Sequence, residues 1–369
     1  MRNDSRADNA GQTVDSLRTL FSSHGYTPYR MSKFEEYDLY SRNKDFLISD
    51  NVLTFTDTDG RLMALKPDVT LSIVKNTDDI PERTRKIYYD ERVYRVARGM
   101  GGFREIRQAG LECIGNVDEC CAAEVLYLAA ASLSLCGKSF ILDVSNLGIL
   151  TAFTALITED SALQEQLLQC AAQKNLHGIR SLCAAQGLAG KEEALVGLLE
   201  ACGPIDEALP KVKALCERFG ALKKVEGLSR ILTVFEGTPF KTSVRLDFSA
   251  VSDTRYYNGL AFRGFVEGIP DSVLSGGQYD HLMRRMHKRS RAIGFAVYLD
   301  LLSRLYTMPD TPDVDVLLIC DENTTPAEMR AAAEALRADG SSVLTAPGEA
   351  GVTAARTLYL INGEVREKC

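Results

Sequence analysis

The chain has 369 residues, too many for one domain of roughly 100–200 residues, so two or three domains are expected. It is 45% hydrophobic and 25% charged with a formal net charge of −7. This composition excludes a disordered or fibrous protein, and it disfavours a general binder of nucleic acid or anionic membranes, which needs a basic face. The most apolar run, residues 125–137, is shorter than the roughly 18 residues of a membrane span, and no secretion signal precedes it, so we expect a cytoplasmic protein without a membrane contact.

Ten cysteines raise the question of a metal site or of disulfides. They contain no C-x-x-C pair, and none of the four histidines lies at ligand spacing from a cysteine. Most of them occupy apolar helix positions, where a thiol behaves as a small hydrophobic group. The sequence therefore predicts reduced thiols, no metal and no cofactor.

The first 145 residues predict strands and helices in mixed order. An amphipathic helix over residues 13–24 ends at Gly25. The later elements are a hairpin that turns at Asp59-Gly60, strands at 85–96 and 104–115 around a glycine-rich loop, a helix at 119–136 and a strand at 140–144.

From residue 146 to residue 240 the pattern becomes almost entirely helical, with apolar stripes at a spacing of 3.6 residues. Strand character then returns. The elements predicted there are strands at 241–251, 256–266 and 272–275, a helix at 278–289 and an apolar helix at 293–305.

A linker rich in proline at residues 308–312 precedes a β-α-β pattern, with strands at 314–320 and 342–345 around a helix at 325–339. The predicted fold class is α+β. An antiparallel sheet core formed by residues 1–145 and 241–308 is interrupted by a helical insertion, residues 146–240. A small α/β domain at 313–369 ends the chain.

Four short motifs, in this order and at these separations, resemble the class II histidyl-tRNA synthetase family. The resemblance covers roughly residues 12–306 and includes the position of the helical insertion. Each motif by itself is common among proteins. The four are LKPDVT at 65–70, the Tyr94-Arg95 strand with its return QAGLE at 108–112, YYN at 256–258 with GGQYD at 276–280, and GFA at 294–296.

The resemblance implies a pocket for histidine. Asp68 and Thr70 would hold the amino group, because a cationic amine favours fixed acceptors. Gln108 and Glu112 lie four positions apart on one strand and so face the same side. The candidate histidine-binding residues are Asp68, Thr70, Arg95, Gln108, Glu112, Tyr256 and Tyr257.

Each charged member of this set also fits a purely structural role. Asp68 could stabilise a turn, Glu112 could form a buried salt bridge, and Arg95 could form a structural ion pair. The set as a whole favours the pocket.

The groups that would handle ATP in this family are largely missing. Ala97 stands where the family has the glutamate of its second motif, and Ser252 where it has a catalytic arginine. Leu301 replaces the phosphate-binding arginine of the third motif, and leucine supplies neither charge nor donors. We therefore expect no catalytic residues and no amino-acid activation.

These losses make the chain similar to the non-catalytic branch of the family, the regulatory subunits of ATP phosphoribosyltransferase, the first enzyme of histidine biosynthesis. This likeness implies a short catalytic subunit as partner in a hetero-oligomer, with L-histidine as the feedback inhibitor. The fold implies a dimer through residues 25–36. Specific binding of tRNA is disfavoured because the tail is short and its helix carries mixed charge.

Three alternatives remain open. A working histidyl-tRNA synthetase would activate histidine, a synthetase-like binding protein would recognise tRNA or an amino acid, and a synthetase-like ligase or accessory factor would serve another substrate.

Overall fold

The computed structural model describes residues 5–47, 52–96, 102–249, 256–302, 312–348 and 351–367. The chain divides into two compact units, one spanning Asn9–Leu305 and the other containing Tyr306–Cys369. Among the described residues, no helix is long and apolar enough to cross a membrane.

The first helix, α1 (Ser5–Ser23), begins earlier than the predicted residue 13 and stops before Gly25, whose φ of 81° is left-handed. A small three-stranded sheet follows, and its turn is held by Asp57, whose carboxylate accepts the backbone N–H of Asp59 and of Arg61. The predicted hairpin at Asp59-Gly60 is therefore confirmed. The elements of this region are β1 (Thr27–Pro28), β2 (Phe34–Glu36), α2 (Tyr37–Ser41), β3 (Thr54–Thr56) and β4 (Leu62–Leu65).

A nine-stranded sheet forms the centre of the first unit, in the order β1-β5-β6-β12-β11-β10-β7-β9-β8. All its neighbouring strands are antiparallel except β1 with β5 and β7 with β9, so the predicted antiparallel core is confirmed. The remaining strands are β5 (Arg85–Val96), β6 (Phe103–Gly115), β7 (Phe140–Asn146), β8 (Gly203–Pro204), β9 (Val244–Leu246), β10 (Leu260–Val266), β11 (Leu274–Gln278) and β12 (Arg291–Tyr298).

The apolar helix predicted at 293–305 is wrong. The described part of this segment, residues 293–302, belongs to the central strand β12 and the short helix α12 (Leu299–Leu302), and residues 303–305 lie outside the described residues. β12 lies between β6 and β11, and residues 292–295 are all buried. A strand covered on both faces has no alternating pattern and cannot be distinguished from a buried helix by periodicity.

Three predicted strands have different bounds. The strand at 256–266 begins only at Leu260, so Tyr256 and Tyr257 precede it. The strand at 272–275 is shifted to β11, and the strand at 241–251 shortens to β9, because a 3₁₀ turn occupies Lys241–Ser243.

Helices cover the sheet and build the insertion, and side-chain caps fix several helix starts. Asp118 accepts the N–H of Cys121, and Asn146 accepts the N–H of Ile149. The predicted helix at 278–289 is shorter than expected. The helices are α3 (Thr70–Asn76), α4 (Glu119–Ser134), α5 (Leu147–Ile157), α6 (Ser161–Ala172), α7 (Leu176–Ala185), α8 (Glu193–Glu200), α9 (Ile205–Arg218), α10 (Leu222–Leu232) and α11 (Asp280–Arg285).

The C-terminal unit holds a four-stranded sheet rather than one β-α-β unit. Its order is β14-β13-β15-β16, and a Thr325–Glu328 capping box starts its helix. The prediction missed the last two strands, although Asn362 and Gly363 have the positive φ angles of a tight hairpin turn. The elements are β13 (Val314–Cys320), α13 (Pro326–Arg337), β14 (Val343–Ala346), β15 (Ala354–Ile361) and β16 (Glu364–Glu367).

Candidate amino-acid site

A cavity of about 490 Å³ opens on one face of the nine-stranded sheet. The loop between β4 and α3, the strands β5, β6 and β12, and the turn before β10 all contribute to its wall. The structure brings all seven predicted residues to this one cavity: Asp68, Thr70, Arg95, Gln108, Glu112, Tyr256 and Tyr257.

Two glycines leave room for the acidic end of the cavity. Gly294 on β12 lies opposite Glu112 on β6, and Gly277 on β11 lies opposite Gly294. A Cβ atom at Gly294 would overlap the Glu112 carboxylate, and a Cβ atom at Gly277 would come within 2.7 Å of the Tyr257 ring. The GG and GFA motifs therefore make space for side chains on the neighbouring elements.

Glu112 is the most unusual group in the cavity, since it is only 2% exposed. Its carboxylate accepts the Thr70 hydroxyl at 3.0 Å and the Tyr279 hydroxyl at 2.6 Å. Both donors are neutral, and within the described residues no cation contacts Glu112. The salt bridge considered for it is thus not formed there. Burial raises the pKa of Glu112 to about 8, partly offset by these two hydrogen bonds.

Asp68 combines a structural contact with a place in the cavity wall. Its Oδ1 accepts the N–H of Leu71 at 2.9 Å, which is the turn-stabilising role considered for it. Burial raises the pKa of Asp68, while the charge of Arg95 opposes that shift. Arg95 itself donates from Nε to the carbonyl of Pro67 at 2.8 Å and makes no ion pair among the described residues.

Aromatic rings close one side of the cavity. The rings of Tyr256 and Tyr257 lie 4.9 Å apart at 67°, and Tyr256 also packs against Tyr279 and Phe46. Burial raises the pKa of Tyr256 and of Tyr257, so both hydroxyls stay neutral. Gln108 is 3% exposed and makes no side-chain hydrogen bond within the described part of the chain, so its amide remains available to a ligand.

Sequence reasoning missed several side chains of the cavity, among them Tyr279, Arg263, Ser275 and Tyr298. Tyr279 belongs to the GGQYD motif, but no role was assigned to it. Arg263 on β10 also lines the wall, and the hydroxyl groups of Ser275 and Tyr298 lie 2.6 Å apart there. A signal for Arg263 existed, since it is the only charged residue in the otherwise apolar strand LAFRGFV.

The position of the phosphate-binding arginine carries no charge. Leu301 on α12 packs against the main apolar cluster of the first unit. Its neighbour Asp300 accepts the backbone N–H of Arg107 at 3.4 Å. Ala97 and Ser252, the other two substituted positions, lie outside the described residues.

These features define a class II synthetase-like protein with an acid-lined cavity that is large enough for an amino acid. Comparison with known sequences agrees with this class. The profile of the histidyl-tRNA synthetase family matches residues 2–302. An ATP phosphoribosyltransferase regulatory subunit of Caldanaerobacter subterraneus is 32% identical over 295 residues, which cover 78% of this chain and 76% of the relative. One of Clostridium botulinum is 28% identical over 320 residues, covering 84% and 76%.

Solved structures show the same fold. An ATP phosphoribosyltransferase regulatory subunit/histidyl-tRNA synthetase of Bacillus halodurans superposes with a TM-score of 0.81 at 22% identity, covering 97% of this chain and 96% of that one. A histidyl-tRNA synthetase of Nostoc superposes with a TM-score of 0.74 at 18% identity, covering 91% and 82%. The chain therefore belongs to the histidyl-tRNA synthetase family, in its branch of ATP phosphoribosyltransferase regulatory subunits. The predicted fold class and the predicted branch are both confirmed.

Proposed function

We propose that the cavity binds free L-histidine and that its occupancy regulates a separate ATP phosphoribosyltransferase catalytic chain. The observation that carries this proposal is the Glu112 carboxylate, which is buried beside a cavity and has only neutral donors around it. Burial raises the pKa of Glu112 to about 8, so without a cation the group keeps its proton at neutral pH, and a cationic ligand would favour the ionised form.

Histidine suits the remaining groups of the cavity. Its amino group is a cation with three donors, which match the oxygens of Asp68 and Gln108. The imidazole is a flat ring with an N–H donor, and the rings of Tyr256 and Tyr257 offer it an aromatic wall. Leu301, at the position of the family's phosphate-binding arginine, packs against the apolar core and supplies no charge for the phosphates of ATP, which favours binding over activation.

The partner is inferred from the relatives, which are named as regulatory subunits of ATP phosphoribosyltransferase. Inhibition is then a coupling between this cavity and the active site of the catalytic chain. Thermodynamic linkage requires that assembly change histidine affinity by the same factor by which histidine changes assembly.

Calorimetric titration of L-histidine into the isolated chain and into its complex with a short catalytic chain tests this function. We expect a micromolar or weaker dissociation constant, about −8 kcal/mol at most, and no binding of L-leucine. Absence of histidine binding to both samples, or equal binding of leucine, would exclude the proposal.

We also propose that the chain dimerises through residues 25–36. Within the small sheet, Phe34 is 45% exposed and packs edge-on against Phe55, which is 37% exposed. Such a patch favours a self-complementary interface. Sedimentation of the wild type should give a dimer, and Phe34→Glu should give a monomer. A wild-type monomer at micromolar concentration would contradict this interface.

No specific contact with nucleic acid is proposed. On α13 in the C-terminal unit, Arg330 pairs with Glu334 at 2.9 Å, so the helix face carries mixed charge rather than a basic strip.

A further inference from the structure

A second guanidinium faces the cavity from the side opposite its carboxylates. Arg263 on β10 lies directly across from Ser275 on β11 and from Asp143 on β7. Three strand spacings of about 4.8 Å, or roughly 14 Å in all, separate β10 from β6, where Glu112 lies. The cavity therefore has an acidic end and a basic end.

Arg263 has no partner within the described residues. It is partly buried, yet no hydrogen bond or ion pair joins it to another described side chain or carbonyl. Burial lowers its pKa, which shows that the cation is held at some cost there. Arg95, the other described cation of the cavity wall, differs because its Nε is bonded to Pro67 and its charge faces Asp68.

Two carboxylates near Arg263 have other neighbours. Asp247 accepts Lys174 Nζ at 2.7 Å and both the N–H and the hydroxyl of Ser249. Asp143 faces Arg245, with 3.9 Å between its Oδ1 and Nε, and neither of these two atoms makes a hydrogen bond within the described residues. Both attract Arg263 through space, but neither is in contact with it.

A smaller cavity of about 240 Å³ lies on the far side of Arg263 and contains both of those carboxylates. Lys174 also lines it but is paired with Asp247 at 2.7 Å, so an anion placed there would still be repelled by Asp143 and Asp247. In the larger cavity the described side chains next to Arg263 are neutral hydroxyls, those of Tyr257, Ser275 and Tyr298. The open anion position therefore lies in the larger cavity.

We propose that Arg263 binds the α-carboxylate of the amino-acid ligand. This inference rests on the proposed function, since it assumes that an amino acid occupies the cavity. The α-carboxylate shares its carbon with the ammonium, so with the imidazole at Glu112 the ligand turns both charged groups away from Glu112, and the long Arg263 side chain extends from β10 to meet the carboxylate. A planar guanidinium binds a carboxylate through two parallel hydrogen bonds.

A carboxylate subsite at Arg263 makes binding specific for amino acids with a free carboxylate. A free carboxylate pairs with Arg263, whereas an amino acid whose carboxylate is esterified, adenylated or reduced does not. The subsite thus selects the free amino acid over its activated forms, as a concentration sensor requires. It also supplies on β10 the positive charge that is absent at position 252, where the chain has a serine.

The test compares L-histidine with L-histidinol, in which a hydroxymethyl group replaces the carboxylate, by calorimetry on the full chain in its complex. We expect the wild type to bind histidinol roughly 10- to 100-fold more weakly, the range for a charged hydrogen-bonded pair. Arg263→Met should weaken histidine binding by the same factor and change histidinol binding less than about two-fold. Arg263→Lys should restore part of the loss.

Arg92→Met is the control, because Arg92 pairs with Glu105 at the surface and does not line the larger cavity. It should leave both affinities unchanged. Arg263→Met that binds histidine as the wild type does, or loses both ligands equally, overturns the inference while the proposed function stands.

If Arg263→Met fails to fold, the affinities of the wild type for histidine and histidinol still test the inference. Equal affinity for histidine and histidinol overturns the carboxylate subsite. Binding of neither ligand overturns the proposed function itself, and the subsite with it.

Discussion

The cavity and the α12 region of the first unit differ in the charged side chains that they contain. In the cavity, Glu112 and Asp68 remain as buried carboxylates although both carry a cost of burial. On α12, Leu301 packs into the apolar core and provides no charge for a phosphate. If the cavity binds an amino acid as proposed, recognition of an amino acid is separable from its activation in this fold, because the acceptors are present while the position of the phosphate-binding arginine carries no charge.

Activation of histidine by the chain would be the strongest evidence against a separation of binding from activation. We expect no histidine-dependent exchange of labelled pyrophosphate into ATP above a buffer blank. The physical reason is that Leu301 supplies neither charge nor donors at the position of the family's phosphate-binding arginine. A working histidyl-tRNA synthetase assayed alongside is the positive control, and exchange by this chain would favour that alternative function.

Replacing the Glu112 carboxylate with an amide tests ligand binding in the cavity directly. Glu112→Gln should weaken L-histidine binding at least roughly 30-fold, because losing one partner of a buried charge pair costs about 2–5 kcal/mol. Glu105→Gln is the control, since Glu105 lies on the same strand, pairs with Arg92 at the surface and does not line this cavity. Similar calorimetric affinities for the two variants would contradict the account.

Filling the space beside Glu112 should have a smaller effect. Gly294→Ala places a methyl group against the Glu112 carboxylate, so we expect roughly ten-fold weaker histidine binding and a loss of about 1–3 kcal/mol of stability from overpacking. Gly348→Ala, with no atom within 4 Å of the added Cβ, should change neither quantity. Calorimetry and chemical denaturation measure both effects. Wild-type affinity in Gly294→Ala would show that this gap does not serve the ligand.

The pH dependence of stability tests whether Glu112 is protonated in the folded chain without ligand. Folding raises the pKa of Glu112 from 4.5 to about 8, so between these values the folded protein holds a proton that the unfolded chain has released. Stability without ligand should therefore fall as the pH rises through this window, by up to about 1.4 kcal/mol per pH unit. Glu112→Gln should remove that slope in urea titrations at pH 5 to 8. Parallel curves for the two proteins would mean that Glu112 is already ionised.

Much of the fold could be predicted from the sequence, because its strongest local signals agree with the final structure. The Asp59-Gly60 turn, the long strands β5 and β6, and the stripes of the insertion all follow from short-range patterns. The central strand β12 could not be predicted, since only its neighbours β6 and β11 make an apolar run extended there.

Some residues of the candidate site could likewise be predicted from the sequence, and others could not. Its acidic and aromatic members lie in motifs, so the resemblance located them. Arg263 lies in no motif, and it reaches the cavity only because β10 pairs with β11 and places it opposite Ser275. Tyr279 was visible in the sequence, but its bond to Glu112 spans 167 positions and requires the folded sheet.

A crystal structure of the complex with the catalytic chain, grown with saturating L-histidine, tests the central claim most directly. We predict one histidine in this cavity, with its amino group and imidazole at Asp68 and Glu112 and with the tyrosine rings against it. Histidine bound elsewhere, with this cavity empty, would show that the cavity is not the histidine site.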